Sequence, residues 1–274
     1  MRFCVLGSGS KGNAIWVESS QDAILLDAGL SWKRIRSRLI ISGLDERKLR
    51  AIIVSHEHID HLRGAGPAAR AAHVPVFATS GTFSAWASDL EKRASKPCLE
   101  TIEPGRAFNV SGFLVTPFST SHDVNQPVMF RVEDHFGASL GVATDLGVAT
   151  RLVKDRLADC NALVLEFNHD PDMLMDGPYP WPLKQRIRSR LGHLSNPEAA
   201  DLLADLLHPG LDLVVLAHLS EMNNDPRLAL NAAGRVLSNG ARLLAAHQDT
   251  PTPVFTVGSS DLSSKDKKNW REMP

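Results

Sequence analysis

Cysteine is scarce in this chain of 274 residues, and the three cysteines lie far apart. Cys4, Cys98 and Cys160 form no CxxC pair, which argues against a disulfide framework and favours a reducing compartment. No apolar run approaches the roughly 18 residues of a membrane span. The apolar segment Met1–Leu6 is too short for the core of a signal peptide. We therefore expect a soluble, cytoplasmic protein.

An excess of either charge is also missing. Thirty Lys and Arg against 31 Asp and Glu leave a formal net charge of −1. No overall basic field indicates a nucleic-acid partner, so any such binding must come from local patches. The five tryptophans are scattered and form no stacking platform. What is present is an ordinary globular balance, with 43% hydrophobic residues, at a length that one α/β domain can reach.

The hydrophobic pattern predicts strands alternating with helices, without a linker that would divide the chain. We expect one domain over residues 1–257 and a mobile, Ser-, Lys- and Asp-rich tail over 258–274. The predicted strands are Phe3–Leu6, Ala14–Glu18, Ala23–Asp27, Ala51–Ser55, Val76–Ala78, Phe113–Phe118, Val128–Glu133, Ser139–Thr144, Ala162–Phe167 and Leu213–Ala217. The predicted helices are Trp32–Ser42, Gly64–His73, Lys184–Leu191, Asn196–Leu207 and Pro226–Leu237.

Residues typical of metal sites follow four of the predicted strands. The first of these strands runs into the sequence HEHIDH, and three later strands each run into a single histidine or aspartate. The carboxyl ends of strands are the usual ligand-binding edge of α/β sheets. Burying so many polar groups without a cation would be expensive. The pattern therefore predicts a metal site with seven ligands: His56, His58, Asp60, His61, His122, Asp145 and His218.

The spacing of these residues indicates how they divide. His56 and His58 flank one residue and can converge on one ion, whereas Asp60 and His61 lie further along the chain and suit a second ion. Asp145 can bridge two cations because a carboxylate has two oxygens. Two ions about 3.5–4 Å apart would hold a bridging hydroxide and clamp a displacement at phosphorus. We expect two divalent ions, Mn or Zn, and this donor set also accepts Fe.

The HEHIDH segment resembles the HxHxDH signature of metallo-β-lactamase-fold hydrolases, and the later single ligands come in that superfamily's order. The resemblance spans about residues 1–255 and implies an α/β fold, an αββα four-layer sandwich with the metals at one edge. Only 22 residues separate His122 from Asp145, too few for the substrate-gripping arm of tRNase Z. Only 72 separate Asp145 from His218, which excludes an inserted β-CASP domain.

Four further segments are similar to the YycJ/WalJ-type subfamily. They are GSGSKGN (7–13), LEFNHD (165–170), YPWPLKQRIRSRLGHLSN (179–196) and LAHLSEMNN (216–224). This resemblance implies a manganese-dependent 5′→3′ double-strand DNA exonuclease. The same architecture occurs in small-molecule cyclic phosphodiesterases of the PhnP type, which we keep as the alternative. A thioester hydrolase of the glyoxalase II type, with the same ligands, ranks behind it.

Three residues are candidates for catalysis. In the superfamily's mechanism the residue matching Asp60 orients the nucleophile. His193 resembles a non-ligand histidine that assists catalysis in tRNase Z and PhnP-like relatives, and Glu166 resembles the acid that orients it. The alternatives are a helix-entry histidine and a strand-end acid without chemistry. His193 favours phosphodiester over thioester chemistry, because a thiolate leaves without needing a proton.

Several further residues are candidates for contacts with the substrate. Two arginines four residues apart share a face of the predicted helix Lys184–Leu191 and would suit phosphate contacts, although a solvated helix face is the alternative. The glycine-rich turn near the N-terminus can bring N–H groups close to an anion, or simply form a β-turn. We predict DNA as the substrate and leave the oligomeric state open. The candidate substrate-binding residues are Asn13, Arg186, Arg190, Ser195 and Asn196.

Overall fold

The computed structural model describes residues 1–91, 97–238 and 240–258, so the predicted tail lies, except for Gly258, outside the described residues. The elements of the first half are β1 (Arg2–Gly7), β2 (Ala14–Glu18), β3 (Ala23–Leu26), α1 (Trp32–Ile41), a 3₁₀ turn (Glu46–Lys48), β4 (Leu49–Ile53), α2 (Ile59–Leu62), α3 (Ala65–Ala72), β5 (Val76–Ala78), α4 (Ser80–Glu91) and β6 (Leu99–Thr101). Those of the second half are β7 (Phe108–Val110), β8 (Phe113–Ser119), β9 (Val128–Asp134), β10 (Ser139–Ala143), α5 (Arg151–Leu157), β11 (Ala162–Glu166), α6 (Pro171–Asp176), α7 (Trp181–Ile187), α8 (Asn196–Asp205), β12 (Leu213–Ala217), α9 (Pro226–Val236), β13 (Arg242–Ala245) and β14 (Phe255–Thr256).

The strands form two sheets, each of seven described strands. Their orders are β14-β1-β2-β3-β4-β5-β6 and β13-β12-β11-β10-β9-β8-β7. Each sheet has an antiparallel part and a parallel part. β3, β4, β5 and β6 run parallel in the first sheet, and β10, β11, β12 and β13 run parallel in the second. The carboxyl ends of the parallel strands therefore meet at one edge of each sheet.

The two sheets pack face to face because side chains alternate along each strand. On β1, Phe3 and Val5 lie in the core between the sheets, whereas Cys4 and Leu6 face the helices outside. On β12, Val215 lies between the sheets and Leu216 faces the opposite side. Near-continuous apolar strands are expected where both faces of a sheet are covered.

Helices cover both outer faces. Residues of α1, α3 and α4 share an apolar cluster with the first sheet, and residues of α5, α8 and α9 share one with the second. The layers are thus helix, sheet, sheet, helix, which confirms the predicted αββα sandwich without a large insertion. Within the described ranges, no helix is long and apolar enough to cross a membrane. The domain boundary at residue 257 stays a prediction.

One helix lies elsewhere than the sequence predicts. The predicted helix Lys184–Leu191 is wrong in its bounds, because α7 begins at Trp181 and ends at Ile187. Pro180 stands at the N-cap and a proline occupies the first turn, where its missing N–H costs nothing. Arg190 therefore lies beyond the helix, and the argument that it shares a helical face with Arg186 fails.

Candidate active site

The chemistry-bearing side chains collect where strands end. Asp27 follows β3 and His56 follows β4 in the first sheet, whereas Asp145 follows β10, Glu166 ends β11 and His218 follows β12 in the second. Asp27, Asp145 and His218 have φ angles of 58°, 61° and 55°. Positive φ is uncommon for residues other than glycine and tends to occur at functional sites. The two strand edges thus face each other across one polar site.

Three histidines form the first group of candidate ligands. His56 Nε2 lies 3.1 Å from His58 Nδ1, and His122 Nε2 lies 3.2 Å from the same atom. His56 is buried, and this burial lowers its pKa well below the usual value. Three imidazole nitrogens held this close, two of them in buried residues, suit one borderline divalent cation.

Asp60, His61 and His218 form the second group, with ligand atoms within 4.8 Å of one another. The Asp60 Oδ2 atom lies 3.7 Å from His61 Nε2 and 3.8 Å from His218 Nε2. Asp145 lies between the two groups, with Oδ2 3.1 Å from His61 Nε2 and Oδ1 3.8 Å from His122 Nε2. The seven residues singled out as ligands in the sequence therefore converge.

The hydrogen bonding and the charges of this cluster are suited to binding cations. His218 Nε2 is buried and lacks a hydrogen-bond partner among the described residues. Asp145 Oδ2 is also buried, and although it lies 3.1 Å from His61 Nε2, no described residue donates a well-aligned hydrogen bond to it. Burial alone would lower the pKa of His218, but the nearby carboxylates of Asp145, Asp60 and Glu166 outweigh it and raise the pKa to about 10. The carboxylates of the site therefore favour a positive charge beside His218 Nε2, which has no hydrogen-bond partner among the described residues. A buried set of histidines and aspartates of this kind supports the binding of divalent metal ions.

Asp27 is a functional residue that the sequence reasoning missed. Its Oδ2 lies 2.7 Å from His61 Nδ1, and its two oxygens accept hydrogen bonds from the N–H and hydroxyl of Ser55. A carboxylate on the second nitrogen of a ligating histidine fixes its tautomer and orientation. The available signal was that Ala23–Asp27, like the four strands that were used, ends in a potential ligand.

Glu166 is the corresponding carboxylate of the second sheet, and it is fully buried. Burial opposes its ionisation, but the charge of His193 and the hydrogen bonds from His193 and His218 outweigh this and lower its pKa to about 2. Because Glu166 is ionised, the histidine Nδ1 atoms donate to it. Its five hydrogen-bond donors are the backbone N–H groups of Asp145, Leu146 and Leu194 and the Nδ1 atoms of His193 (2.9 Å) and His218 (2.8 Å).

This arrangement places His193 at the site. With its Nδ1 bound to Glu166, the Nε2 atom of His193 is left for other chemistry. His193 lines the same cavity as His58, Asp60 and His218. Its ring centroid lies 5.1 Å from that of His218 and 5.2 Å from that of His122.

Three predicted substrate contacts do not line the cavity, and their side chains are already hydrogen-bonded within the fold. Asn13 Nδ2 lies 3.0 Å from His61 Nε2, while its Oδ1 accepts from the Gly9 N–H. The Ser195 hydroxyl forms the capping box of α8. The Asn196 amide is paired with the amide of Asn224. Their role in substrate binding stays a prediction.

The cluster opens into a cavity of about 340 Å³. Arg186 lines it and is ion-paired through Nε with Asp123, the neighbour of His122. Arg190 is exposed and does not line the cavity. Lys184, from the same basic segment, is buried, and its Nζ donates to the Met175 carbonyl. Of this run of cations, Arg186 therefore has the best access to a bound substrate.

The chain was compared with known proteins. Residues 22–219 match the family described as Beta-lactamase superfamily domain. Exodeoxyribonuclease YycJ of Bacillus anthracis is 34% identical over 237 residues, which cover 86% of this chain and 89% of that protein. Exodeoxyribonuclease WalJ of Streptococcus pneumoniae serotype 2 is 34% identical over 230 residues, covering 83% and 85%. The crystal structure of the metallo-β-lactamase fold protein YhfI from Bacillus subtilis matches with a TM-score of 0.68 at 18% identity, covering 92% and 98%.

These findings confirm the resemblance that the sequence motifs indicate. The YhfI match shows the fold alone, because its sequence identity is low. The superfamily match and the two relatives at 34% identity together cover most of the chain. This chain belongs to the β-lactamase superfamily and, within it, to the family of YycJ and WalJ.

Proposed function

We propose that this protein is a metal-dependent phosphodiester hydrolase that degrades DNA as an exonuclease, most efficiently from the 5′ ends of duplexes. Both curated relatives carry the name exodeoxyribonuclease, which supports a DNA substrate. The polarity and the preference for duplexes rest on the resemblance of the motifs. The reaction class is supported independently by the chemistry of the site.

The observation that carries the proposal is the hydrogen bond between Glu166 and His193 beside the ligand cluster. In phosphodiester hydrolysis the leaving oxygen needs a proton, and a positioned histidine is the most frequent donor. The Glu166 carboxylate accepts a hydrogen bond from His193 Nδ1 and so directs His193 Nε2 away from itself. His193 then transfers its proton to the departing oxygen. In thioester hydrolysis the thiolate leaves without needing this proton.

We propose two divalent ions, Mn or Zn, with Fe as a further candidate. His56, His58 and His122 would hold one, Asp60, His61 and His218 the other, and Asp145 would contact both. Such ions supply Lewis-acid activation of water and neutralise charge on phosphoryl oxygens. The resemblance to the superfamily implies that Asp60 orients the nucleophile. Arg186 contacts a substrate phosphate at the cavity rim.

The test is a duplex labelled at its 5′ or 3′ ends, incubated with the protein and Mn²⁺. We expect release of short products from the 5′ label in the first turnover, and none from the Asp60→Ala variant, which controls for contaminating nucleases. A small cyclic phosphodiester is assayed in parallel. Rapid turnover of that compound with no cleavage of any DNA would contradict the proposal and assign the protein to the PhnP-type alternative.

A further inference from the structure

The residues that line the cavity include two chemically different groups. One is formed by the candidate ligands and His193, which account for the handling of a phosphate. The other is formed by the segment that leads into and forms α7, with Tyr179, Leu183, Arg186 and Ile187. Leu183 and Ile187 lie four residues apart and so share one face of this helix. Three of these four side chains are aromatic or aliphatic, which phosphate chemistry does not require.

Within this second group, Tyr179 gives the clearest indication of what the cavity binds. It is the chain's single tyrosine, and it is partly buried beside the site. No described residue forms a hydrogen bond with its hydroxyl, so no hydrogen bond within the described fold fixes the position of the ring. A partly exposed aromatic ring at a nucleic-acid site is typical of base stacking, which tolerates every base.

The size of the cavity limits what can occupy it. At about 340 Å³ it lies near the lower end of the roughly 300–1,000 Å³ range of small-ligand pockets. This size class suits a small ligand such as a single nucleotide. Enzymes that act on a nucleotide in a duplex often extrude it, and contacts in the pocket offset the cost of unstacking.

We infer that Tyr179, with Leu183 and Ile187, binds the base of the nucleotide being released, unstacked from the DNA end. This inference rests on the proposed function and extends it to the substrate. Arg186 stands between the two apolar residues in sequence and lines the same cavity, so a phosphate contact and a base contact are available on one helix. Recognition of this kind is sequence-tolerant, as an exonuclease requires.

The experiment compares two duplexes, one ending in unpaired thymidine mismatches and one with abasic residues at the same positions. Because both ends are unpaired, they differ in the base alone. The ratio of single-turnover rates at subsaturating protein is measured for the wild type and for Tyr179→Ala, Tyr179→Phe and Trp181→Ala. Trp181 is an exposed aromatic residue on the same helix that does not line the cavity. Each ratio is taken within one variant, so loss of folded protein does not affect it.

We expect the wild type to prefer the thymidine end by about 5- to 150-fold, as stacking on one aromatic side chain allows. Tyr179→Ala should reduce this ratio to near one, whereas Tyr179→Phe and Trp181→Ala should keep it. A preference that survives Tyr179→Ala would overturn the inference while leaving the nuclease function intact. Loss of the preference in Tyr179→Phe would overturn stacking in favour of a hydroxyl contact. A wild type that cleaves neither duplex would overturn the proposed function, and this inference with it.

Discussion

The two halves of the molecule build their shares of the site differently. The first half supplies four candidate ligands from one short segment after β4, with a single supporting carboxylate, Asp27, on His61. The second half supplies its ligands one at a time from separate strand ends, and Glu166 binds both His218 and His193. The first half concentrates candidate metal ligands, whereas in the second half Glu166 links the candidate ligand His218 to His193, the proposed proton donor.

Backbone packing holds the ligand segment of the first half in place. The Asp60 carbonyl accepts a hydrogen bond of 2.7 Å from the Asn13 N–H. A Cβ atom at Gly29 would lie 1.5 Å from that carbonyl, so only glycine permits this approach. In the second half, Glu166 accepts hydrogen bonds from three backbone N–H groups and from the Nδ1 atoms of His193 and His218. Substitutions that affect one half at a time therefore test whether the two halves have different roles.

The largest effect is expected from Asp60→Ala. This change removes a candidate ligand and the carboxylate proposed to orient the nucleophile. Since the loss of a supporting residue alone costs about 10- to 100-fold in activity, loss of Asp60 should cost more. Nuclease rates with Mn²⁺ measure it. Near wild-type activity in a folded Asp60→Ala protein would show that the first half is not catalytic.

His193→Ala should slow turnover by about 10²- to 10⁴-fold while the protein keeps its metals, because a proton donor is lost and no ligand. Metal content and single-turnover rates are measured on the same preparation. Loss of metal from this variant would make His193 a ligand. An unchanged rate with unchanged metal would make it a helix-entry residue without chemistry.

The two supporting carboxylates allow a matched test. Asp27→Asn and Glu166→Gln should each weaken metal binding by about 10- to 100-fold, because each loosens a ligating histidine. At saturating metal, Asp27→Asn should recover most of its activity. Glu166→Gln should not, because His193 still lacks its charged partner. If both variants recovered the same activity in metal titrations, Glu166 would support metal binding alone, as Asp27 does, and the two halves would not differ in this respect.

The smallest effect is expected at the cavity rim. Arg186→Gln should weaken DNA binding and flatten its dependence on salt, by about one unit of the log–log slope for each lost phosphate contact. Arg190→Gln, outside the cavity, should have less effect. Arg151→Gln, on the exposed surface of α5, serves as the control. Hydrolysis of a small phosphodiester should survive all three substitutions. An Arg186→Gln slope equal to that of the control would exclude the contact.

The long buried strands and the convergence of the candidate ligands were predictable because each leaves a local signal, an apolar run followed by histidine or aspartate. Short edge strands such as Leu99–Thr101 and Phe108–Val110 were missed, because largely exposed segments of three residues carry no clear apolar alternation. Helix Arg151–Leu157 was missed because only Val153 and Leu157 are buried on its single apolar stripe. The resemblance predicts that Glu166 orients His193. That Glu166 also binds His218 joins separate segments, and no spacing in the sequence reveals it.

The central claim is that both halves contribute to one binuclear centre. Anomalous scattering from crystals of the Mn²⁺-loaded protein tests it directly. Two peaks about 3.5–4 Å apart are expected. One should lie among His56, His58 and His122, the other among Asp60, His61 and His218, with Asp145 between them. A fully occupied protein with a single peak, and with Asp60 and His61 free of metal, would contradict it.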